Sequence, residues 1–182
     1  MNRGTVGSQI TWGMAAGLLG TVVMDLVIVG FFAATGMPTG LVYSFIGDVT
    51  QQCFLRIGVA VPGGVPLGAL VHFLLGVVLG AVFALAVSRI PRLRLGSIVK
   101  GALIGVLYIE IVSQPILALA PLMMTMSTSD VLRWYALSTS MHVIYGIVLG
   151  VVMAFRQRRN APSLRVPQVQ TGMKTEQRAD KI

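Results

Sequence analysis

Four ionisable side chains lie inside long apolar stretches of this sequence, namely Asp25, His72, Glu110 and His142. A charged residue at the centre of a membrane helix costs about 2.5–3.5 kcal/mol of insertion free energy. Two carboxyls and two imidazoles in such places are therefore expected to pair with one another. Together they can form a hydrogen-bond network that holds helices together, pass protons or ions, or bind a metal ion.

These residue types favour a structural hydrogen-bond network most, because such a network requires only that the acids and histidines pair. A proton or ion relay is the next interpretation. Gln114 and Tyr145, about one turn beyond Glu110 and His142, are candidates to join either. The four ionisable side chains also suit a divalent metal such as Zn²⁺, Mn²⁺ or Fe²⁺, although no E-x-x-H spacing is present. His72 and His142 can alternatively supply the two axial ligands of a haem.

The elements that hold these residues are four apolar stretches, roughly 12–34, 67–87, 98–120 and 134–155. The chain is 55% hydrophobic and only 11% charged, whereas soluble domains carry about 25% charged residues. Each stretch reaches the roughly 20 residues that cross a bilayer. Only helices satisfy their own backbone hydrogen bonds in such apolar runs. We therefore predict an all-α membrane protein with a four-helix transmembrane domain at 1–156.

An internal repeat is indicated by two phrases, HFLLGVVLGAVFA at 72–84 and HVIYGIVLGVVMA at 142–154. AGLLGTVVMD at 16–25 likewise resembles GALIGVLYIE at 101–110, which aligns Asp25 with Glu110. The repeated unit is then a helical hairpin, and two hairpins in parallel orientation form the bundle. This duplication predicts two similar acid–histidine pairs at one depth, in the outer half of the bilayer.

Glycines at four-residue spacing favour close helix packing in lipid, where small residues let backbones approach. The glycines expected at such contacts are Gly76, Gly80, Gly146, Gly150, Gly101 and Gly105. By contrast, Ser113, Ser138 and Ser140 are isolated hydroxyls that are expected to bond to helix backbone.

Basic residues are distributed unevenly along the chain. Of 14 Lys and Arg residues, only Arg56 and Arg133 fall in the first and third connections. The positive-inside rule then places both termini on the cytoplasmic side of the membrane, and a nucleic-acid partner is not expected. Residues 157–182 are polar and basic, which is typical of a disordered cytoplasmic tail. Between the first two spans, residues 41–58 show helical spacing with one polar face, which predicts an amphipathic interfacial helix.

The features KGALIGVLYIEIVSQPILAL in the third span, with Gly101, Gly105 and Pro115, and the openings His72 and His142 resemble the YagU-like four-span bacterial membrane proteins. Asp25 departs from that pattern. The resemblance implies an inner-membrane location and a loose link with acid tolerance, and it supplies no catalytic residues.

The sequence contains no nucleophile–base arrangement, phosphate loop or Cys/His zinc motif. We therefore expect a non-enzymatic protein, either a small transporter-like or proton-handling protein or an accessory subunit of a membrane complex. Its expected partners are the lipid bilayer and other membrane subunits or a second copy. A metal- or haem-binding redox protein that uses the same carboxylates and histidines is the alternative.

Overall fold

The computed structural model describes residues 6–159, which form five α-helices and no strand. The helices are α1 Val6–Thr35, α2 Leu41–Arg56, α3 Gly64–Arg89, α4 Ile98–Ala118 and α5 Thr128–Arg159. Short 3-10 turns at Pro91–Leu93 and Pro121–Thr125 lie in the α3–α4 and α4–α5 connections.

Four of these helices, α1, α3, α4 and α5, are long and apolar enough to cross a membrane. They coincide with the four predicted spans, and three of them are longer than predicted. The difference is largest for α5, which begins at Thr128 because the Ser127 hydroxyl accepts a hydrogen bond from the Asp130 amide. At its other end α5 continues to Arg159, so 157–159 are helical and the remainder of the predicted tail lies outside the described residues.

The two ends of the bundle differ in the chain segments that lie there. Arg156 near the end of α5 donates to the Ser8 carbonyl at the start of α1, 3.0 Å away. Gln157 accepts from the Leu95 amide of the α3–α4 connection, also at 3.0 Å. Both ends of the described chain and the α3–α4 connection therefore lie together, at what we call the basic end. The opposite end, which carries α2 and the α4–α5 connection, is the α2 end.

Glycines bring α1 onto α3. A Cβ atom on Gly13 would strike the Gly80 carbonyl and Ala84, and one on Gly17 would strike the Gly76 carbonyl. At these positions only a hydrogen atom fits between the two backbones, so the helices approach more closely than larger residues allow.

The contact between α4 and α5 has the same form. A Cβ atom on Gly101 would strike the Gly150 carbonyl and Ala154, and one on Gly105 would strike the Gly146 carbonyl. The two helix pairs are joined where α1 packs against α5, whereas α3 and α4 touch only slightly. A hydrogen bond of 2.9 Å from the Tyr108 hydroxyl of α4 to the Leu79 carbonyl of α3 is one of the links between them.

The helix α2 is packed against the bundle. A Cβ atom on Gly47 would strike the Gly64 carbonyl, and one on Gly68 would strike the Tyr43 carbonyl, so α2 and the first turns of α3 are in backbone contact. The Phe45 ring stacks on Trp134 of α5 with 4.1 Å between ring centroids. A helix is thus present where the sequence predicts one, and its position at the membrane interface remains a prediction.

Candidate functional site

A cavity of about 380 Å³ lies in the half of the bundle nearer the α2 end. All five helices contribute to its wall. The cavity lies where the α1–α3 pair and the α4–α5 pair separate, since α3 and α4 barely touch each other. The wall is mainly apolar. The lining residues that carry a hydroxyl, thiol, imidazole or indole group are Thr21, Thr50, Cys53, His72, Ser113, Trp134, Ser138, His142 and Tyr145.

The cavity opens sideways between α3 and α4. Leu75 of α3 and Ile116 of α4 both line it, and they are also 44% and 58% exposed on the outer surface of the bundle. Both helices are candidate membrane spans, so this mouth lies in the apolar surface of the bundle. Cys53 of α2, which also lines the cavity and is exposed, marks a second open side at the α2 end. Towards the basic end, Tyr108 closes the gap between the two helices through its bond to Leu79.

Asp25 of α1 lies directly behind the cavity wall and has two side-chain partners. Its Oδ1 is 3.0 Å from Nε2 of His72, and its Oδ2 accepts a hydrogen bond of 2.8 Å from the Tyr43 hydroxyl of α2. The residue is only 7% exposed. Both carboxyl oxygens are therefore satisfied in a place where an unpaired acid would be costly.

Tyr43 is well suited to remain a donor in this group. Burial, the hydrogen bond to Asp25 and the charge of that carboxylate, in this order, raise the pKa of the Tyr43 hydroxyl above its usual value. The phenol therefore keeps its proton near neutral pH and donates it to the carboxylate.

His142 of α5 is held by hydroxyls instead of a carboxylate. Its Nδ1 lies 2.8 Å from Oγ of Ser113 on α4 and 3.2 Å from Oγ of Ser138, one turn earlier on α5. The expectation that these two serines bond to backbone is wrong, because both are turned toward the imidazole. Ser140 does bond to backbone, at the Ala136 carbonyl.

In the described part of the chain, each imidazole has one nitrogen without a protein partner. Nδ1 of His72 and Nε2 of His142 make no hydrogen bond to any residue in the range 6–159. Both residues line the cavity, and neither of these nitrogens is fully buried, so each can donate to or accept from a ligand there, depending on the tautomer.

Glu110 does not join the histidines. Its Oε2 accepts from Nε2 of Gln114 and lies 3.5 Å from the hydroxyl of Thr139, and it does not line the cavity. Gln114 also donates to Thr139 over 2.9 Å. Oε1 of Glu110 and Oε1 of Gln114 are buried and have no partner among the described residues.

Tyr145 lies on the cavity wall but its hydroxyl is engaged elsewhere. It donates to the Gly76 carbonyl of α3 over 2.7 Å and so links α5 to the α1–α3 pair. Asp25 and His72 thus come together, His142 faces the same cavity, and Glu110 and Gln114 form a separate group with Thr139. Within residues 6–159 there is no group of three or more His, Cys, Asp or Glu side chains placed to hold a metal ion.

The glycine contacts give a register that differs from the sequence alignment. Gly13 and Gly17 of α1 contact α3 in the same way as Gly101 and Gly105 of α4 contact α5. When the two helix pairs are aligned by these contacts, Asp25 corresponds to Ser113. Asp25 contacts His72 and Ser113 contacts His142, and each histidine lies four residues before a glycine of the helix contact. The alignment of Asp25 with Glu110 is therefore three residues out of step with the helix contacts.

Sequence reasoning missed three contributors to the site, which are Tyr43, Ser113 and Ser138. A signal was present for Ser138, because a residue four before His142 lies on the same helix face. No local signal was available for Tyr43, because its bond to Asp25 depends on how α2 folds back onto α3.

Comparison with known proteins yields one family. The model of a family of unknown function, DUF6789, matches residues 7–163. It shows no link to the YagU-like proteins, although an uncharacterised family is compatible with that resemblance. No curated protein and no solved structure matches the chain.

Proposed function

The chain belongs to DUF6789, a family of unknown function, and we propose that it is a non-enzymatic, transporter-like membrane protein that binds a proton at Asp25 and His72. The observation that carries this proposal is the 3.0 Å contact between a buried carboxylate and an imidazole that faces a cavity. Acid–histidine pairs inside membrane spans are typical of proton relays, because the proton can rest on either group.

The helix packing argues against a continuous channel for protons. From the cavity toward the basic end, the helices are in backbone contact at Gly80 with Gly13 and at Gly150 with Gly101. The atoms that meet at these contacts are backbone atoms and the methyl groups of Ala84 and Ala154, so they offer no side-chain relay for a proton bound at Asp25. Transporters with paired helical repeats move such a site between the two sides by rocking one unit against the other.

Orientation and ancestry form part of the same proposal. The excess of basic residues at the basic end supports a cytoplasmic location for both termini in a prokaryotic inner membrane. The similar glycine contacts of the α1–α3 and α4–α5 pairs support a duplicated hairpin, with Asp25 and Ser113 at equivalent places. One copy then keeps the acid, and the other holds its histidine with serine hydroxyls.

Proton flux into liposomes tests the proposal. The protein is reconstituted with a pH-sensitive dye inside, and flux is driven by a pH gradient with charge compensation. We expect Asp25→Asn to lower the flux to that of protein-free liposomes, because the amide cannot take up the proton yet keeps its shape. Glu110→Gln is the matched control and should retain wild-type flux, since its side chain lies outside the cavity. Equal flux for wild type and Asp25→Asn would reject proton handling.

A second candidate function is an accessory subunit, and the Glu110 group favours it. Oε1 of Glu110 and Oε1 of Gln114 lack partners in the described part of the chain, and Thr139 beside them is exposed. A neighbouring membrane helix can hydrogen-bond to the exposed Thr139 hydroxyl, and the two buried oxygens would have to turn outward to accept from it. Crosslinking in native membranes tests this: a photoreactive group at Thr139 should capture one defined membrane protein, and lipid adducts alone would contradict the candidate.

The metal- or haem-binding alternative has weaker support, because the carboxyl of Glu110 bonds to Gln114 and Thr139 rather than to a histidine. Metal analysis and a visible spectrum of the purified protein test it directly. A bound divalent ion in stoichiometric amount, or a Soret band that disappears in His72→Phe, would establish the alternative.

A further inference from the structure

We propose that the cavity binds a lipid-soluble quinone or quinol, which enters from the bilayer through the mouth between α3 and α4. This goes beyond proton handling, because it assigns a ligand class and an entry route to the cavity itself. The inference rests on the free imidazole nitrogens, on the composition of the wall and on the place of the mouth.

The two imidazoles define the polar part of the ligand. His72 is fixed from behind by Asp25, and His142 by Ser113 and Ser138, so each ring presents its remaining nitrogen from a different helix. A ligand with two oxygen functions on opposite edges of a rigid body satisfies both. Carbonyl oxygens of a quinone accept from an imidazole N–H, and hydroxyls of a quinol can also donate to an imidazole nitrogen.

The wall excludes a charged head group and favours a flat ring. Among residues 6–159, no Lys, Arg, Asp or Glu lines the cavity, so a carboxylate or phosphate would be buried there without a counter-charge. Trp134 and Phe45 present stacked aromatic rings to it, and aromatic faces pack well against a planar ring. The volume of about 380 Å³ lies within the range of small-molecule sites.

The position of the mouth indicates that the ligand carries an apolar tail. Between Leu75 and Ile116 the cavity opens into the apolar surface of two candidate spans, where lipid chains are the surrounding solvent. A ligand that reaches the histidines by this route must itself dissolve in lipid. Its tail can remain in the mouth while its ring occupies the cavity.

Quenching of Trp134 fluorescence tests the proposal in lipid nanodiscs, without any proton gradient. The chain has two Trp residues, so Trp12→Phe leaves Trp134, in the cavity wall, as the only tryptophan, which is excited selectively over the tyrosines. The probe is a benzoquinone with an alkyl tail and a fully substituted ring, which prevents addition to the Cys53 thiol. We expect quenching that saturates. In the matched variant Trp134→Phe, the remaining Trp12 lies outside the cavity and should show only the linear quenching of a probe dissolved in lipid.

Two sets of variants test the contacts in the Trp12→Phe background. His142→Phe should raise the apparent Kd about tenfold, as expected for the loss of one hydrogen bond. The pair Leu75→Phe and Ile116→Phe should slow association severalfold. The neighbouring pair Leu74→Phe and Ile111→Phe, which is exposed but does not line the cavity, should leave it unchanged.

A measurement on the unaltered chain keeps the proposal falsifiable if variants misfold. Cys53 is exposed and lines the cavity, so bound quinone should slow its reaction with a maleimide severalfold. An alkylbenzene with the same tail, which lacks both oxygens, should give no protection. Equal protection by the two compounds, protection by neither, or linear quenching of Trp134 would overturn the proposal. None of these results depends on proton flux, so either hypothesis can fail alone.

Discussion

At the scale of single residues, the central feature is an acid that is buried with a partner for each oxygen. Asp25 binds His72 from α3 and Tyr43 from α2, so one carboxylate ties three helices together. Such a group fixes the side chains more strongly than a pair would, because each bond orients the next.

Tyr43→Phe isolates one of these bonds. The change leaves Oδ2 of Asp25 without its donor, and we expect the free energy of unfolding to fall by about 1–3 kcal/mol. Tyr135→Phe is the control, because the Tyr135 hydroxyl makes no hydrogen bond with residues 6–159. Chemical unfolding in mixed micelles, followed by circular dichroism, measures both. Equal stabilities for the two variants would show that the bond to Asp25 contributes nothing to folding.

At the scale of helices, the glycine contacts decide which elements pair. In lipid there is no hydrophobic drive between apolar helices, so close backbone approach supplies much of the attraction. The α1–α3 and α4–α5 contacts use this device, whereas α3 and α4 lack it and leave the cavity between them.

Gly80→Ala tests the α1–α3 contact. The added methyl group would meet the Gly13 carbonyl and the Gly17 backbone, which cannot shift without moving the helix. We expect a loss of about 1–3 kcal/mol of unfolding free energy, as is typical of overpacking. Gly30→Ala in α1 adds the same methyl group where nothing lies within 4 Å. That control should be neutral or slightly stabilising, since alanine favours the helix. A neutral Gly80→Ala would contradict the packing.

At the scale of the whole molecule, the uneven distribution of charge predicts its orientation. Arg56 and Arg133 are the basic residues at the α2 end, and the other described basic residues lie toward the basic end. The positive-inside rule therefore predicts that α2 faces away from the cytoplasm.

Cys53 provides a direct test of orientation, because it is the only cysteine and is exposed on α2. In spheroplasts, a membrane-impermeant maleimide should label it without permeabilisation. Ser88→Cys in a Cys53→Ala background carries its thiol at the basic end and should react only after permeabilisation. The reverse pattern would invert the topology.

The sequence alone specifies the four helices that are long and apolar enough to span a membrane, the helix between the first two, and the glycines of α3, α4 and α5 that contact a neighbour. These follow from local properties, namely the length of apolar runs and the spacing of small residues along one helix face. The tertiary structure decided the site. A shift of three residues along a helix moves a side chain about 4.5 Å and turns it by about 60°. That step separates Glu110, which lies with Gln114 and Thr139, from Ser113, which reaches His142. This register is set by how far one helix is shifted along the other where their backbones meet. That shift depends on residues from distant parts of the chain.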